Sequence, residues 1–244
     1  MKKKKDTEDS FFIWTEKSFS ESGLPHDSFV LTESTNDIAK QYAQQDPPIM
    51  VYLAETQTHG RGRGGHTWIS PKAGTSLLVS FSFELSEAPQ HLTGPIVGIH
   101  LFRAAQGTWP HLPWSLKAPN DLYLEDKKVA GLLVEAVSAG EMHRLIIGLG
   151  LNVTSHPAGI PFAGCLADFE KESIDKETWS RFVQLLVSEF SLAAKASAST
   201  ELKGEVRQDL LAALKAHHLT KELVDVSGDG DLVFSDRTVD WQCL

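Results

Sequence analysis

The sequence predicts an α+β fold in which helices pack against a mainly antiparallel or mixed β-sheet. Three observations predict this class. Apolar stretches with strand character follow one another as neighbours joined by turns. Segments with helical spacing of apolar residues are set apart from them. At the C-terminal end, apolar and polar residues alternate around two short turns, a pattern typical of a small β unit.

Apolar residues spaced three and four apart predict the helices. The first helix begins at Ser34, which stands three residues before Asp37 in a capping-box pattern. The longest helix carries an aromatic stripe that we assign to the core. The four predicted helices cover residues 34–45, 91–106, 176–196 and 203–217.

The predicted strands are short apolar runs bounded by turn residues. A charged turn at 125–128 joins two of them into a hairpin, and Pro119 stands in a turn before that hairpin. The predicted strands cover 49–55, 76–84, 114–117, 122–124, 129–135 and 145–153, with further alternation over 223–241.

Composition limits the domain organisation and the class of partner. The 244 residues suffice for one substantial core with a small appendage. We expect a charged tail at 1–10, a main domain at 11–218 and a short β unit at 219–244. The net charge of −9 disfavours general DNA binding. About thirty residues precede the first predicted helix, too few for an added helix-turn-helix domain.

Cysteine usage and hydropathy predict a cytoplasmic protein. The two cysteines form no disulfide framework, which favours a reducing compartment. The basic start of the chain is not followed by an apolar segment, so a signal peptide is not expected. A membrane span is not expected either, because no apolar run approaches the required length of about 18 residues.

The segment 60–68 (GRGRGGHTW) is the strongest functional signal in the chain. Its glycines allow backbone N–H groups to approach a ligand, and its arginines supply permanently charged donors. Such a segment suits a loop that closes over a phosphate or a carboxylate. It contains the dinucleotide-binding spacing GxGxxG, but a second strand follows where that fold requires a helix. A Walker A motif is absent, and a solvated RNA-binding linker remains an alternative.

Other candidates are individually weak. Lys117 precedes a rigid turn and is either a surface lysine or a fixed cation facing a pocket. The polar segment 34–36 either caps its helix or contacts a ligand, and Gln57 serves either a ligand or its own loop. The segment 148–152 (GLGLN) is either a bulged strand or a close approach of a ligand to the backbone. We find neither a metal-ligand cluster nor a nucleophile triad in the sequence, and we predict no metal site formed by protein ligands.

Taken in order, several segments resemble the catalytic domain of biotin–protein ligases (biotin–[acetyl-CoA-carboxylase] ligases), in the form without an N-terminal DNA-binding domain. The similarity covers about residues 30–155. It implies a class II synthetase-like fold. The matching segments are 34–36 (STN), 54–57 (AETQ), 60–63 (GRGR), 68–71 (WISP), 117–121 (KAPND), 128–135 (KVAGLLVE) and 148–152 (GLGLN).

The resemblance implies an enzyme that joins biotin to AMP from MgATP and then passes biotin to a lysine of a biotin carboxyl carrier protein domain. It implies a monomer or homodimer that binds neither DNA nor membranes. The implied catalytic residues are Lys117, Arg61 and Arg63. The implied biotin-binding residues are Ser34, Thr35, Asn36, Gln57, Gly60, Arg61, Gly62, Arg63 and Lys117, and the implied nucleotide-binding residues are Gly148, Gly150 and Asn152.

The chain departs from the family pattern at two positions. His66 stands where the family loop has arginine, and Ala118 stands where it has tryptophan. The C-terminal β unit is also short. A lipoate or octanoate ligase or transferase of the same fold is one rival interpretation, and a non-catalytic biotin-binding relative is another.

Overall fold

A computed structural model describes residues 10–243 of the protein, and its main feature is one large sheet. The strands are β1 (His26–Thr32), β2 (Ile49–Gln57), β3 (Ser76–Leu85), β4 (Trp114–Lys117), β5 (Asp121–Leu124), β6 (Lys127–Ala139), β7 (Met142–Asn152), β8 (Leu223–Val226), β9 (Leu232–Phe234) and β10 (Thr238–Val239). The helices are α1 (Phe11–Glu21), α2 (Thr35–Tyr42), α3 (Thr93–Thr108), α4 (Lys176–Ala196) and α5 (Gly204–Lys215).

The large sheet has seven strands in the order β1-β2-β3-β7-β6-β5-β4. Only β1 and β2 run parallel among these strands, and the other neighbours are antiparallel. The predicted α+β class with a mainly antiparallel or mixed sheet is therefore confirmed.

Residue alternation along β3 separates the two faces of the sheet. Val79 and Phe81 point into the main core, where the Phe81 ring meets Phe190 of α4 edge-on at a centroid distance of 5.3 Å. Ser80 and Ser82 are buried on the opposite face. Because side chains alternate along a strand, the core face is apolar and the opposite face can carry polar groups.

Helix α2 lies on the opposite face of the sheet. It begins where the sequence predicts, because Ser34 Oγ accepts a hydrogen bond from the Asp37 backbone N–H at 3.4 Å. Ala39 packs against Tyr52 and Ile146 in a small second core cluster. The first turn of α2 is thereby fixed over the middle of the sheet. The helix ends three residues earlier than predicted, at Tyr42, in a turn that leads to two prolines.

A three-stranded sheet, β10-β9-β8, follows α5. The guanidinium of Arg207 in α5 donates to Asp225 Oδ2 and to the Val226 carbonyl, both at 2.5 Å. These bonds attach the small sheet to α5. The predicted β unit at 219–244 contains these three strands, and its boundary near residue 219 stays a proposal.

The sequence prediction missed α1 and β1. Helix α1 is capped by Ser10, whose Oγ accepts from the Ile13 N–H at 3.2 Å, and Phe11 meets the Trp179 ring at a centroid distance of 4.7 Å. Of the predicted charged tail at 1–10, only Ser10 lies among the described residues. None of the helices within 10–243 has the length and apolar character to cross a membrane.

Candidate active site

Small residues on three neighbouring strands form a shallow depression on the α2 face of the sheet. A Cβ added at Gly148 would collide with the Asn36 side chain, and one added at Gly150 would collide with the Trp68 indole. Any larger residue at these positions would therefore fill the depression. Its floor consists of Ser80, Gly131, Gly148 and Gly150, which pair across β3, β7 and β6.

Helix α2 with its cap, β2 and β3 supply a connected set of neutral hydrogen-bonding groups beside the depression. Gln57 Oε1 accepts from the Thr35 N–H at 2.7 Å and from Thr35 Oγ1 at 3.3 Å. Ser80 Oγ donates to Asn36 Oδ1 at 2.5 Å and also lies within hydrogen-bond distance of Thr35 Oγ1, at 2.7 Å. We call Ser34, Thr35, Asn36, Gln57 and Ser80 the polar half of the site.

The segment 60–68, which we call the loop, covers the depression as a tight hairpin. The Trp68 N–H donates to the Gly60 carbonyl at 2.8 Å, and the Gly62 N–H donates to the His66 carbonyl at 2.7 Å. At the tip, Gly64 and Gly65 have φ values of 59° and 81°, which a side chain would strain. The glycines therefore build the turn itself, and two of them do so by positive φ.

Arg61 ties the loop to the sheet and to α2. Its Nη2 lies 2.5 Å from Glu135 Oε2 and 3.0 Å from Asp37 Oδ1. Burial disfavours the charge of Glu135, but hydrogen bonds from Arg61, Asn36 and Lys40 outweigh burial and lower the pKa of Glu135. The hydrogen bond to Glu135 in turn raises the pKa of Arg61. The carboxylate is therefore charged at neutral pH.

Two buried donors of the loop have no hydrogen-bond partner among the described residues. They are Arg61 Nε and Trp68 Nε1, and both residues line the cavity that contains the depression. A buried donor without a partner costs about 1–3 kcal/mol. A ligand with acceptor atoms in this cavity would satisfy both donors.

Positive side chains surround a larger cavity of about 580 Å³ next to the loop. Lys128 Nζ lies 2.6 Å from Asp121 Oδ1. The Lys117 and Arg63 side chains have no hydrogen bond or ion pair with any described residue. We call Arg63, Lys117 and Lys128 the cationic half of the site, and His66 lines the same cavity.

A buried histidine lies behind the cationic half. His217 is fully buried, and its ring meets Tyr123 edge-on at a centroid distance of 4.7 Å. Burial, followed by the charges of His218 and Lys117, lowers the pKa of His217 to about 4. The imidazole is therefore neutral at physiological pH and adds no charge behind Lys117.

The two halves meet at residues that line both cavities. The cavity over the depression measures about 50 Å³, and the Trp68 indole occupies the space next to Gly150. Drug-sized ligands occupy pockets of roughly 300–1,000 Å³, so the Trp68 side chain must move for a ligand of that size to enter. The residues shared by the two cavities are Gly62, Trp68, Asn120 and Lys128.

The predicted site residues do not all line one cavity. Arg61 and Gly62 line the depression with most of the polar half, whereas Arg63 and Lys117 line the larger cavity. Gly60 packs on the Trp68 backbone. Gly148 and Gly150 belong to the floor beside the predicted biotin-binding residues. Asn152 lines neither cavity, and its Nδ2 donates to the Gly164 carbonyl at 3.0 Å.

Sequence reasoning missed several residues of the site. Asn120 Nδ2 donates to the Leu132 carbonyl at 2.7 Å, which holds the turn after Lys117 against β6. The missed residues all belong to segments that carry the family resemblance, but the resemblance implied no role for them. They are Trp68, Asn120, Lys128 and Gly131, which line the cavity over the depression, and Glu135, which contacts Arg61.

The C-terminal unit reaches the site. Trp241 lines a third cavity of about 270 Å³ together with Arg63, Asn120 and Glu135. Cys243 lines the larger cavity of the cationic half. The short C-terminal unit therefore contributes walls to the site rather than standing apart from it.

This fold and site define a class of protein: a mixed-sheet domain whose polar pocket, closed by a glycine- and arginine-containing loop, adjoins a cationic cavity. The model of the Biotin/lipoate A/B protein ligase family matches residues 28–152, which is half of the chain, and the chain belongs to this family. The resemblance noted in the sequence is thus confirmed at the level of the family.

Two curated relatives are similar in sequence to parts of this chain. The Bifunctional ligase/repressor BirA of Escherichia coli is 36% identical over 107 residues, which cover 41% of this chain and 32% of the relative. The Biotin--[acetyl-CoA-carboxylase] ligase of Paracoccus denitrificans is 32% identical over 139 residues, which cover 55% of each chain. The chain thus matches about a third to about half of the length of these relatives.

A solved structure shares the fold over nearly the whole chain. The biotin protein ligase from Aquifex aeolicus in complex with biotin and ATP superposes with a TM-score of 0.67 at 23% identity. The superposition covers 88% of this chain and 94% of the Aquifex chain. At this identity the similarity establishes the fold.

Proposed function

We propose that this chain is a biotin–protein ligase. It joins biotin to AMP from MgATP to form biotinyl-5'-AMP, and it then transfers biotin to a lysine of a biotin carboxyl carrier protein domain in a biotin-dependent carboxylase. One observation carries the proposal. A neutral hydrogen-bonding pocket and a cationic cavity share the lining residues Gly62, Trp68, Asn120 and Lys128, so one ligand can extend from the first into the second.

The polar half suits the ureido ring of biotin, which offers both donors and an acceptor. Thr35, Asn36 and Gln57 already form a fixed network, so they are oriented before a ligand binds. Ser34 fixes the start of the same helix. The apolar body of biotin would replace the Trp68 indole over the glycines of the floor, and its carboxylate would then point toward Arg61 and Lys128.

In the first reaction, a biotin carboxylate oxygen attacks the α-phosphorus of ATP. A new O–P bond forms, the bond to the bridging oxygen of the β-phosphate breaks, and pyrophosphate leaves with that electron pair. Negative charge grows on the oxygens around the α-phosphorus. Lys117, Arg61 and Arg63 are the proposed catalytic cations, and Lys128 joins them because it lines both cavities. Each cation at about 4 Å contributes roughly 4 kcal/mol at an effective dielectric constant of about 20.

In the second reaction, the amine of the acceptor lysine attacks the biotinyl carbonyl carbon. An amide bond forms, the amine loses a proton, and AMP leaves with the electrons of the broken C–O bond. Between the two steps the mixed anhydride must be kept from water. The loop suits this task because its backbone hairpin covers the pocket.

The nucleotide is proposed to occupy the larger cavity. Magnesium enters with ATP as part of the substrate, since this ion prefers phosphate oxygens and water to a full set of protein ligands. Within residues 10–243, no three His, Cys, Asp or Glu side chains are grouped as metal ligands. A nucleotide-side role for Gly148, Gly150 and Asn152 stays a prediction, because the two glycines belong to the floor that biotin would cover. Asn152 lines neither cavity and holds the Gly164 backbone.

The cellular setting belongs to the same proposal. We propose a cytoplasmic enzyme that acts as a monomer or homodimer, since a reducing compartment fits its two free cysteines. We expect no DNA as a partner because the net charge is −9. Light scattering of the purified chain with and without biotin decides the oligomeric state.

Mass spectrometry of the two products tests the proposed function. The purified chain is incubated with biotin, MgATP and then a biotin carboxyl carrier domain. We expect biotinyl-5'-AMP in the first stage and a carrier domain heavier by one biotinyl group in the second. Binding of biotin without either product would instead identify a non-catalytic relative, an interpretation that the departures at His66 and Ala118 motivate.

A further inference from the structure

The Glu135 carboxylate on β6 is the point where the loop, α2 and the sheet meet. Its Oε2 accepts from Arg61 Nη2 at 2.5 Å and from Asn36 Nδ2 at 2.9 Å. Its Oε1 accepts from Lys40 Nζ at 3.1 Å. Three donors from two different segments thus converge on one side chain, which contacts both the covering loop and the polar half.

Asn36 links Glu135 to the floor of the depression, because it contacts both. Its Oδ1 accepts from Ser80 Oγ at 2.5 Å, and its side chain fills the space that a Cβ of Gly148 would take. Its Nδ2 also donates to the Leu133 carbonyl at 3.2 Å. Glu135 therefore contacts a residue that is fixed on all sides, so its own position is well determined.

Arg61 is held from one side only. Its Nη2 contacts Glu135 and Asp37, whereas its buried Nε has no partner among the described residues. The Glu135 side chain is 22% exposed and the Asp37 side chain is 47% exposed. Because exposed ion pairs are weak, Glu135 is the stronger of the two anchors. The unpaired Nε stays available to a ligand atom in the cavity.

We propose that Glu135 is a positioning residue that acts through Arg61. Its contacts with Asn36 and Arg61 hold the loop over the pocket and present the Arg61 guanidinium to the bound acid. The structural part of this inference is independent of the chemistry, whereas its kinetic part rests on the proposed function. If Glu135 had a purely structural role, it would stabilise the fold without affecting how often the loop opens. If Glu135 instead competed with the ligand for Arg61, it would reduce the affinity of Arg61 for the ligand.

Limited trypsin digestion of the full chain tests the structural part. Trypsin cleaves after Arg61 and Arg63 only when the loop opens, so the rate of these two cuts reports the open population. We expect Glu135→Gln to raise this rate by roughly tenfold, as for the loss of a charge-assisted hydrogen bond. Glu135→Asp keeps the charge and should restore most of the protection. Glu84→Gln, at an exposed position on β3, is the matched control and should leave the rate unchanged.

Asp37→Asn is the second variant, chosen because Asp37 is half exposed and its amide keeps the shape of the helix start. It should raise the cleavage rate by a smaller factor than Glu135→Gln. Two results together would overturn the proposal. In Asp37→Asn the loop would be cleaved at the same rate as in the unmodified chain, and in Glu135→Gln cleavage would be either unchanged or increased at sites throughout the chain. Mass spectrometry of the fragments separates loop cuts from global unfolding.

Biotin-dependent pyrophosphate release tests the kinetic part. We expect Glu135→Gln to raise the KM for biotin by roughly tenfold while kcat changes less, because the loop closes less often. The double variant Glu135→Gln/Arg61→Gln should match Arg61→Gln within about twofold, since Glu135 acts through Arg61. A lower KM in Glu135→Gln would show competition instead and would contradict positioning.

The trypsin digestion and the kinetic assay distinguish failure of the proposed function from failure of the positioning role. If the unmodified chain releases no biotin-dependent pyrophosphate, the proposed function fails while the trypsin result still decides whether Glu135 holds the loop. If the unmodified chain is active but Glu135→Gln has normal loop protection and normal KM, the positioning role fails alone.

Discussion

The two halves of the site differ in what their side chains already contact. In the polar half, Thr35 is hydrogen-bonded to Gln57, and Ser80 contacts both Thr35 and Asn36. Asn36 also donates to Glu135. In the cationic half, Lys117 and Arg63 have no hydrogen-bonding side-chain partner among the described residues, and Lys128 contacts Asp121 alone. Folding by itself therefore completes the polar half. The cationic half keeps positive charge for an anionic ligand, in a chain whose net charge is −9.

Removing a cation should have the largest effect on the reaction. We expect Lys117→Ala and Lys128→Ala each to lower the rate of adenylate formation by about 100-fold or more, while the fold persists. Lys127→Ala is the matched control, because Lys127 donates to the Pro161 carbonyl at 3.0 Å outside both cavities. Single-turnover formation of biotinyl-5'-AMP measures the effect. Near-normal rates in either variant would remove that lysine from the mechanism.

Filling the floor should disrupt the polar half next most strongly. Gly148→Ala places a methyl group where the side-chain oxygen Asn36 Oδ1 lies, so the hydrogen bonds of the polar half must shift. We expect a loss of about 1–3 kcal/mol in the free energy of unfolding and weaker biotin binding by calorimetry. Gly98→Ala in α3 is the control, since its Cβ meets open space and should instead stabilise by about 0.5–1 kcal/mol. Equal stability in the two variants would mean that the floor is not tightly packed.

Removing one hydroxyl from the network should have a moderate effect. Thr35→Val keeps the shape of the side chain but removes the Oγ1 that contacts both Gln57 and Ser80. We expect biotin affinity to fall by about 2- to 13-fold, corresponding to a hydrogen bond worth about 0.5–1.5 kcal/mol. Isothermal titration measures it. An unchanged Kd would place the ureido ring away from Thr35.

Acid should weaken the region behind the cationic half. Because the folded-state pKa of His217 is about 4, the unfolded chain binds more protons between this value and its ordinary pKa of about 6.5. Stability is therefore lost as pH falls through this window, with a slope below about 1.4 kcal/mol per pH unit. His217→Phe keeps a ring against Tyr123 and should flatten that slope in urea titrations. Parallel slopes in both proteins would exclude His217 as the cause.

Local patterns in the sequence predict most of the elements around the site. The Ser34 cap, the 76–84 strand and the longest helix at 176–196 all depend on nearby residues, and the structure contains each of them. Helix α1 was missed because its apolar residues find their partners on α4, far away in the chain. The tight loop could be predicted from its glycines, since two of them take positive φ.

The composition of the site is harder to predict than the elements. Glu135 is an ordinary exposed-looking residue at the end of an apolar run, and only pairing of β6 with β7 beneath α2 brings it to Arg61 and Asn36. Lys128 was assigned to the predicted charged turn, but it lies within β6 and lines both cavities. Such contacts depend on strand register across the sheet, which single-sequence patterns do not contain.

Pyrophosphate release with biotin, compared with release with lipoate and octanoate under identical MgATP, tests the central claim most directly. We predict release that depends on biotin and is much slower with the other two acids, because the donors and acceptors of the polar half would pair with the ureido ring that we propose to bind there. Faster release with lipoate or octanoate would contradict this account and assign the chain to a lipoate or octanoate ligase of the same fold.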